Sequence, residues 1–457
     1  MTRDEARAIL KLPEDQAIDS IVRLAEKAEK YDQICGNISP TTPSGMKPTY
    51  LKPPGKKRKR KPGRKKGHPG ASRLKSDRVD HYKEHTLCSC PNCSGELSKP
   101  VKSYKRYIED IPPVEPEVTE HTVYGYWCST CKKIVYANVS DALPNAMIGL
   151  RLVVFTAWLH YLVGMSVNNI VNLLAVFADF KITAGGLTLA WKKLATTVEP
   201  LYGNIGEIVR KTAVLHADET GWRISGITHW LWCFATKNFC YYVIDKSRGS
   251  PVIKRVLGKI FEGILICDFW GAYNKICTLA TQRCFYHMFT EMEKVNKKNK
   301  SDLWKAFRKK FTRLLKDAVR LSGKKGQLAT QIYTRRKQRL YDRLDQLIEM
   351  PFCEDKDVKR LKKRLKRHRN ELFTFLEFNG VCPYNNHAEQ QMRKPVITRK
   401  ISHQNRSGQG AKTHAILMTL FRSAELQKLN PVEWVLANAK IAINTNQQYE
   451  IDFDMAA

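Results

Sequence analysis

Residues 213–222, AVLHADETGW, decide how this 457-residue chain is read. AVLHAD is a short, mostly apolar run that closes on an acid, the pattern of a buried strand whose end delivers the Asp218 carboxylate. A second run of the same form, GILICD, ends at Asp268 within GILICDFWGAY (263–273). A third acid, Glu389, lies in NNHAEQQMRK (385–394), a polar stretch with helical character. The first two acids are separated by 49 residues and the last two by 120, so only the tertiary fold can gather them. Two carboxylates at strand ends and a third from a helix can hold two divalent cations on a phosphodiester, as hydrolysis or transesterification at phosphorus requires. Alternation along a strand sends Asp218 and its neighbour Glu219 to opposite faces, so one of the pair enters such a site.

Outward from Asp218, HWLWCFAT (229–236) and CYYVID (240–245) read as second and third strands joined by a hairpin. SPVIKRVLG (250–258) reads as a helix, GILICD as the fourth strand, GAYNKICTLA (271–280) as a helix and QRCFYH (282–287) as the fifth strand. Three antiparallel strands feeding an α/β crossover predict a multidomain α/β protein with an RNase-H-like mixed-sheet catalytic domain. In that architecture the first and fourth strands are neighbours, which brings Asp218 to Asp268. By composition the chain divides into an N-terminal helical segment (1–35), a flexible basic linker (36–75), a cysteine module (76–142) and a helical region (143–210). The first part of the catalytic domain (211–293), an all-helical basic insertion (294–378) and the end of the catalytic domain with Glu389 and C-terminal helices (379–457) follow.

Charge points to a polyanion. Lys and Arg number 78 against 44 Asp and Glu, a net +34, and nucleic acid is the commonest partner for such a surface. Residues 294–370 alone hold 27 Lys and Arg against 8 Asp and Glu. They read as three helices with apolar stripes, Leu303, Phe307, Phe311 and Leu314, then Leu340, Leu344 and Leu347. In the linker, Lys56, Lys57, Arg58, Lys59, Arg60, Lys61, Arg64, Lys65 and Lys66 read as a phosphate-tracking arm of the kind that binds backbone without sequence choice, or as a solvated linker that aids solubility. The N-terminus MTRDEARAILKLPEDQ lacks an apolar signal core, and the most apolar stretch, GLRLVVFTAWLHYLVGM (149–165), is interrupted by Arg151 and His160. A cytoplasmic, nucleoid-associated protein without a membrane span is expected. In that compartment its 13 cysteines read as thiols or metal ligands rather than disulfides.

Two knuckles, Cys90-Pro-Asn-Cys93 and Cys128-Ser-Thr-Cys131, can offer four thiolates to one structural zinc, with Cys88 as a spare thiol. Between them SYKRYIEDI (103–111) and VTEHTVYGYW (118–127) read as a hairpin. Further on, helices near 166–178 and 184–197 outline a helix-turn-helix that would expose Thr188, Lys192 and Lys193 to a major groove; a packed helical hairpin bracing the catalytic domain has the same outline. At 1–34, Ile18, Ile21, Val22, Leu24, Ala25 and Ala28 recur at helical spacing. His287 reads as a ligand or base, or as a buried or DNA-facing histidine. Arg393, one turn after Glu389, can hold a phosphate or make a surface ion pair.

HADETGW, DFWGAY, RCFYH, NNHAEQQMR with the basic ITRKISHQNRSGQGA (397–411) behind it, and the paired knuckles together resemble the large transposase of IS66-type bacterial insertion sequences, in consistent order from about residue 50 to 440. The resemblance implies a DDE-type RNase-H-like domain with Asp218, Asp268 and Glu389 as the metal-binding triad, two Mg²⁺ ions (or Mn²⁺) as cofactors, and DNA binding by the zinc module and helical region. Its substrates would be double-stranded element ends and target DNA, with a homo-oligomer for synapsis and accessory proteins of the same element as further partners. The chain departs from the family pattern at Gln390, where Arg is usual, and at Phe269-Trp270, where a smaller pair is usual. A non-catalytic DNA-binding derivative of such an element and an RNase-H-like nuclease without strand transfer are the alternatives.

Overall fold

The computed structural model describes residues 77–350, 354–402 and 404–445, with residues 13, 15–19, 21–22 and 25 near the N-terminus. The basic arm from Lys56 to Lys66 lies outside the described residues, as do Leu24 and Ala28. Residues 15–19, 21–22 and 25 are helical, with Ile18, Ile21 and Val22 exposed.

A five-stranded mixed sheet positions everything else. Its strands are β3 (Val214–Ile224), β4 (Ile227–Ala235), β5 (Cys240–Asp245), β6 (Ile260–Cys267) and β7 (Cys277–Arg283), in the order β5-β4-β3-β6-β7. β3, β4 and β5 form an antiparallel meander, and β6 and β7 then run parallel to β3. β3 is longer than AVLHAD suggested: it runs six residues past Asp218, which therefore sits mid-strand, whereas Asp268 stands just beyond the end of β6. GAYNKICTLA is not a helix. A 3-10 turn (Gly271–Lys275) leads directly into β7, and RCFYH opens the helix that follows it. Parallel pairing with β6 makes CTLATQR a strand, a tertiary contact that overrides the apolar run suggesting a helix.

β6 approaches the start of β3 closely at Gly263, whose place a β-carbon could not share with the Thr212 carbonyl 2.3 Å away. The register of the β6–β7 pairing shifts there, between Phe261 and Ile264, and on the β3 side the Ile264 amide donates to the Ala213 carbonyl. Glycine is what that approach requires.

Ahead of the sheet, β1 (Gly125–Cys128) and β2 (Lys133–Tyr136) form a small hairpin around the second cysteine knuckle. The predicted hairpin between the knuckles is absent: SYKRYIEDI has no regular structure and only the last residues of VTEHTVYGYW are in a strand. Then come α1 (Leu150–Trp158), a π-turn (Leu159–Val163), α2 (Val167–Phe177), α3 (Ala184–Thr197) and α4 (Glu199–Arg210). The Ser166 and Thr183 hydroxyls accept from the amides of Asn169 and Gly186, so each helix of the α2–α3 pair starts on a side-chain cap. α5 (Ser250–Leu257) joins β5 to β6. Between β7 and the Glu389 helix lie α6 (Phe285–Lys298), α7 (Asp302–Ser322), α8 (Thr330–Glu349), α9 (Lys356–Arg367) and the short α10 (Thr374–Glu377). α11 (Asn386–Ser402), α12 (Gly408–Leu426) and α13 (Pro431–Thr445) follow among the described residues. The stripe on α7 buries Trp304, Phe307, Phe311, Leu314 and Leu321, while Leu303, expected inside, is exposed. Trp304 is the residue in phase with Phe307 and Phe311, three and seven positions on.

One sheet face, with Leu215, Ala217, Trp232 and Leu265, packs on α5 and Tyr273. The other is shared. Leu231, Cys233 and Tyr242 pack with the helices of 150–210 and with α12 and α13, and Ile264 and Ile266 pack with α6 to α10. The seam between these two helical masses runs along β3, where Asp218 projects.

His414 of α12 is buried edge-on to Tyr161 and Trp222, with no hydrogen-bond partner for Nε2. Burial pushes its pKa down to about 3, and burial lowers His216 to about 4. Unfolding releases both to the ordinary value of 6.5, so the unfolded chain binds more protons as pH falls below 6.5. Stability is therefore expected to drop between about pH 6.5 and pH 4, by up to roughly 1.4 kcal/mol per pH unit for each histidine. His414→Leu should flatten this slope in urea titrations run at successive pH values; an unchanged slope would count against His414 as a buried neutral histidine.

Candidate active site

The parallel pairing of β3 with β6 stops at His216 opposite Ile266. The next carbonyl of β3, on Ala217, takes a hydrogen bond from Nδ2 of Asn385 (2.7 Å), and the Asn385 Oδ1 meets His216 Nδ1 at 3.1 Å. Asn385 is fully buried, and its own carbonyl accepts from the Glu389 amide, the first turn of α11. Its amide donates to Cys284 Sγ (3.1 Å), two residues after Pro383 takes the Phe285 amide, and the Cys284 amide donates to Cys267 (2.9 Å). One residue thus fastens the root of α11 to the backbone beside Asp218 and, through Cys284, to the residue before Asp268.

α11 is held flat along the same face further on. Pro395 has no amide to give the Gln391 carbonyl four residues earlier, and the Tyr242 hydroxyl donates there instead (2.8 Å). Arg422 holds the Gln391 side chain (2.7 Å), and Arg399 donates to the Thr220 hydroxyl and the Gly221 carbonyl of β3.

Asp268 is fixed from behind. Arg283, 1% exposed, donates to the Asp268 carbonyl (2.7 Å) and to Asn274 (2.6 Å) and pairs with Glu371, while the Asp268 carboxylate accepts from the Trp270 amide (2.8 Å). Glu371 is itself paired with His368 (2.9 Å).

The three predicted acids fall within one another's fields. Burial raises the Asp218 carboxyl well above its ordinary value, and Glu219, Asp268 and Glu389 raise it further. Burial also raises Glu389, against the pull of His287 and Arg393, and Asp268 adds to the rise. Such piling of negative charge favours a bound cation. Glu219 resolves the ambiguity of the adjacent pair by pointing away. Its carboxylate takes Arg248 (2.9 and 3.0 Å) and the Tyr273 hydroxyl (2.7 Å) on the α5 face, and burial followed by Asp268 pushes its pKa up to about 7. The Arg248 guanidinium lies between the rings of Trp230 and Trp270, 4.3 and 3.9 Å from their centroids. The supporting roles of Asn385, Arg248 and Arg283 were not read from the sequence, since they depend on burial, although Arg283 and Asn385 open the RCFYH and NNHAEQQMR motifs. The one positional hint was NN (385–386) ahead of a helix, an N-cap signature.

Two oxygen and nitrogen atoms at the site lack partners. Glu389 Oε1 and His287 Nδ1 are shielded from solvent and unpaired, 3.8 Å apart, and with Cys284 they form the one cluster of three candidate metal-binding groups within 4.8 Å of one another among the described residues. Burial raises the Cys284 thiol to about 11.

Each cysteine knuckle carries its own local hydrogen bonds. Ser94 donates to the Cys90 carbonyl (2.7 Å) and Cys131 donates to Cys128 Sγ (3.4 Å). Amides of Asn92 and then Cys93 lower the Cys90 pKa, and the Cys131 amide does most to lower that of Cys128. Amide donors aimed at thiolates suit a metal-binding knuckle. Cys90, Cys93, Cys128 and Cys131 are not gathered as one cluster, and Cys88 is exposed. Lys192 and Thr188 are exposed on α3, Lys193 is half-buried and Arg393 is exposed, while the opposite face of α3 buries Leu187, Trp191 and Leu194.

The model described as "Transposase IS66 family" matches residues 145–413. The chain belongs to the IS66 transposase family. A second model, "zinc-finger binding domain of transposase IS66", matches residues 88–132, which supports a structural zinc in the cysteine module of this IS66-family chain. The chain is also 24% identical over 412 residues to "Uncharacterized protein y4jD" of Sinorhizobium fredii (strain NBRC 101917 / NGR234), covering 77% of this chain and 74% of that one. Among the described residues no helix is long and apolar enough to cross a membrane.

Two outcomes are expected. Asn385→Ala removes the bonds to Ala217 and His216 and should cost about 1–3 kcal/mol in urea unfolding, the usual penalty for leaving a buried polar group unpaired. Metal analysis of purified protein should find zinc bound, and Cys93→Ala or Cys128→Ala should release it; full zinc retention by either would remove that thiol from the ligand set.

Proposed function

We propose that the protein is a DDE-type DNA transposase that hydrolyses the phosphodiester at the ends of its insertion sequence and joins the freed 3′-OH to target DNA. The observation that carries this reading is the convergence of Asp218, Asp268 and Glu389, with Glu219 turned away, at the seam of the sheet. The strand order and directions support an RNase-H-like domain, with α6 to α10 as its helical insertion. Membership of the transposase family supports DNA as the substrate.

The residues fit a pair of divalent cations: three crowded carboxylates, two of them raised by burial and mutual repulsion, and an unpartnered Glu389 oxygen. When bound, two such ions supply activation of the attacking oxygen and stabilisation of the leaving one. The chain's own part is to hold the carboxylates. Asn385 fixes the Glu389 helix against β3, Arg283 fixes the Asp268 loop, and Arg393, exposed one turn from Glu389, is available to a phosphate. No protein nucleophile is needed, because water and then a DNA 3′-OH attack phosphorus in turn.

Backbone contacts fall to basic surfaces. Between α7 and α8, Arg320, Lys324, Arg336, Arg339 and Arg343 line a groove, with Asp317 holding Arg320 (3.2 Å) and Arg343 (3.0 Å) in place. We assign DNA phosphates to this groove, to the arm Lys56–Lys66 and to Lys192 and Lys193 of α3. Cys90, Cys93, Cys128 and Cys131 are assigned to one structural zinc, which supports the fold and takes no part in the chemistry. Synapsis of two ends calls for at least a dimer.

With labelled element-end DNA, target plasmid and Mg²⁺, the intact protein should give nicked and joined products. Asp218→Asn, Asp268→Asn and Glu389→Gln should each abolish both while leaving band shifts largely intact. Nicks without joining would reduce the activity to a nuclease, and shifts alone to a DNA-binding protein.

A further inference from the structure

The geometry points to His287 as a fourth, nitrogen ligand of the divalent cation at Glu389. This rests on the triad reading above. His287 Nδ1 and Glu389 Oε1 face each other at 3.8 Å, too far for a hydrogen bond, and neither has any other partner although both atoms are hidden from solvent. Buried polar atoms are nearly always satisfied, so two unsatisfied atoms facing one another mark a place for a third species. The side chains behind them are not sealed in, being 38% and 32% exposed, so a cation can enter.

The juxtaposition is built into the backbone. His287 stands in the first turn of α6 and Glu389 in the first turn of α11. The two helix starts are joined by the Phe285 amide on Pro383 (2.9 Å) and the Asn385 amide on Cys284 Sγ (3.1 Å). Cys284 lies in the same cluster, but its sulfur already accepts that amide and is a poor partner for a hard cation. Nδ1 of His216 and Nε2 of His387 are engaged on Asn385 (3.1 Å) and the Thr236 carbonyl (2.7 Å), and His287 is the imidazole that joins Glu389 in the cluster of candidate ligands among the described residues. An imidazole among carboxylates shifts preference from Mg²⁺ toward Mn²⁺ and later first-row ions. The competing arrangement is a plain ion pair between a protonated His287 and Glu389.

Mn²⁺ alone serves as the probe, on the full chain with its zinc in place, with and without duplex DNA. Pulsed electron paramagnetic resonance reads directly bound imidazole nitrogen, and a Mn²⁺ titration reads affinity. Wild type should show the nitrogen coupling. His287→Gln and His287→Asn should both lose it and bind Mn²⁺ about tenfold more weakly or worse, the usual effect of deleting a ligand or its support, with circular dichroism and DNA band shifts unchanged. Mn²⁺ bound to wild type without nitrogen coupling, or coupling that survives both substitutions, overturns the assignment; if Asp218→Asn still abolishes Mn²⁺ binding, the triad stands without His287. A wild type that binds no Mn²⁺ under either condition overturns both.

Discussion

The buried amide of Asn385 is the contact on which the site depends. Where β3 and β6 part after His216 and Ile266, the sheet would leave the Ala217 carbonyl without its parallel neighbour, and a side chain from a segment 168 residues further along the chain closes the gap. Buried backbone groups must be satisfied, so this bond is obligatory rather than decorative. It also starts α11, since Asn385 accepts the Glu389 amide. Register therefore passes from sheet to helix through one residue, and the distance between Asp218 and Glu389 is set by backbone geometry instead of by the reach of two flexible acids.

The same economy holds on the other side. Cys284 closes β7 against Cys267 and accepts from Asn385, and Arg283 beside it clamps the Asp268 carbonyl. A buried guanidinium is costly unless its donors are used; here Glu371, Asn274 and Asp268 use them, and Glu371, held in turn by His368, stays below its ordinary pKa despite burial. Because the helices of 294–378 carry Glu371 and His368, that basic segment supports the Asp268 loop as well as adding surface charge. Its removal would loosen a carboxylate that it does not itself supply.

The sequence made the strands legible where burial was uniform or alternating. HWLWCFAT, CYYVID and GILICD fall on β4, β5 and β6, and the helices at 166–178 and 184–197 fall on α2 and α3, because apolar periodicity there matches the element. It misled where polarity and structure part company. CTLATQR is an edge strand with exposed Cys277 and Leu279, so it lacks the buried-strand pattern, and the apolar RCFYH is the start of a buried helix. Asp218 was legible as an acid on a strand, yet its mid-strand place was not, since β3 continues through the polar DETG. What could not be read at all was the supporting set, Asn385, Arg248 and Arg283. Their chemistry lies in being removed from solvent and paired with residues distant in the chain, Asn385 with Ala217, Arg248 with Glu219 and Arg283 with Glu371, and no local pattern encodes that.

The charge distribution gives the proposed site its logic. A chain with net +34 attracts polyanions from a distance, but the seam along β3 gathers three carboxylates in a partly dry setting, where a phosphodiester arriving alone would meet like charge at low dielectric. On the proposed reading, cations seated among the carboxylates offset that charge. On that reading metal and substrate binding would reinforce each other, since a cation held by Asp218, Asp268 and Glu389 would relieve the repulsion among the acids and that between acids and phosphate. On the proposed reading, a basic exterior around an acidic centre is one arrangement serving two ranges, capture of the polyanion far from the site and its admission only with metal.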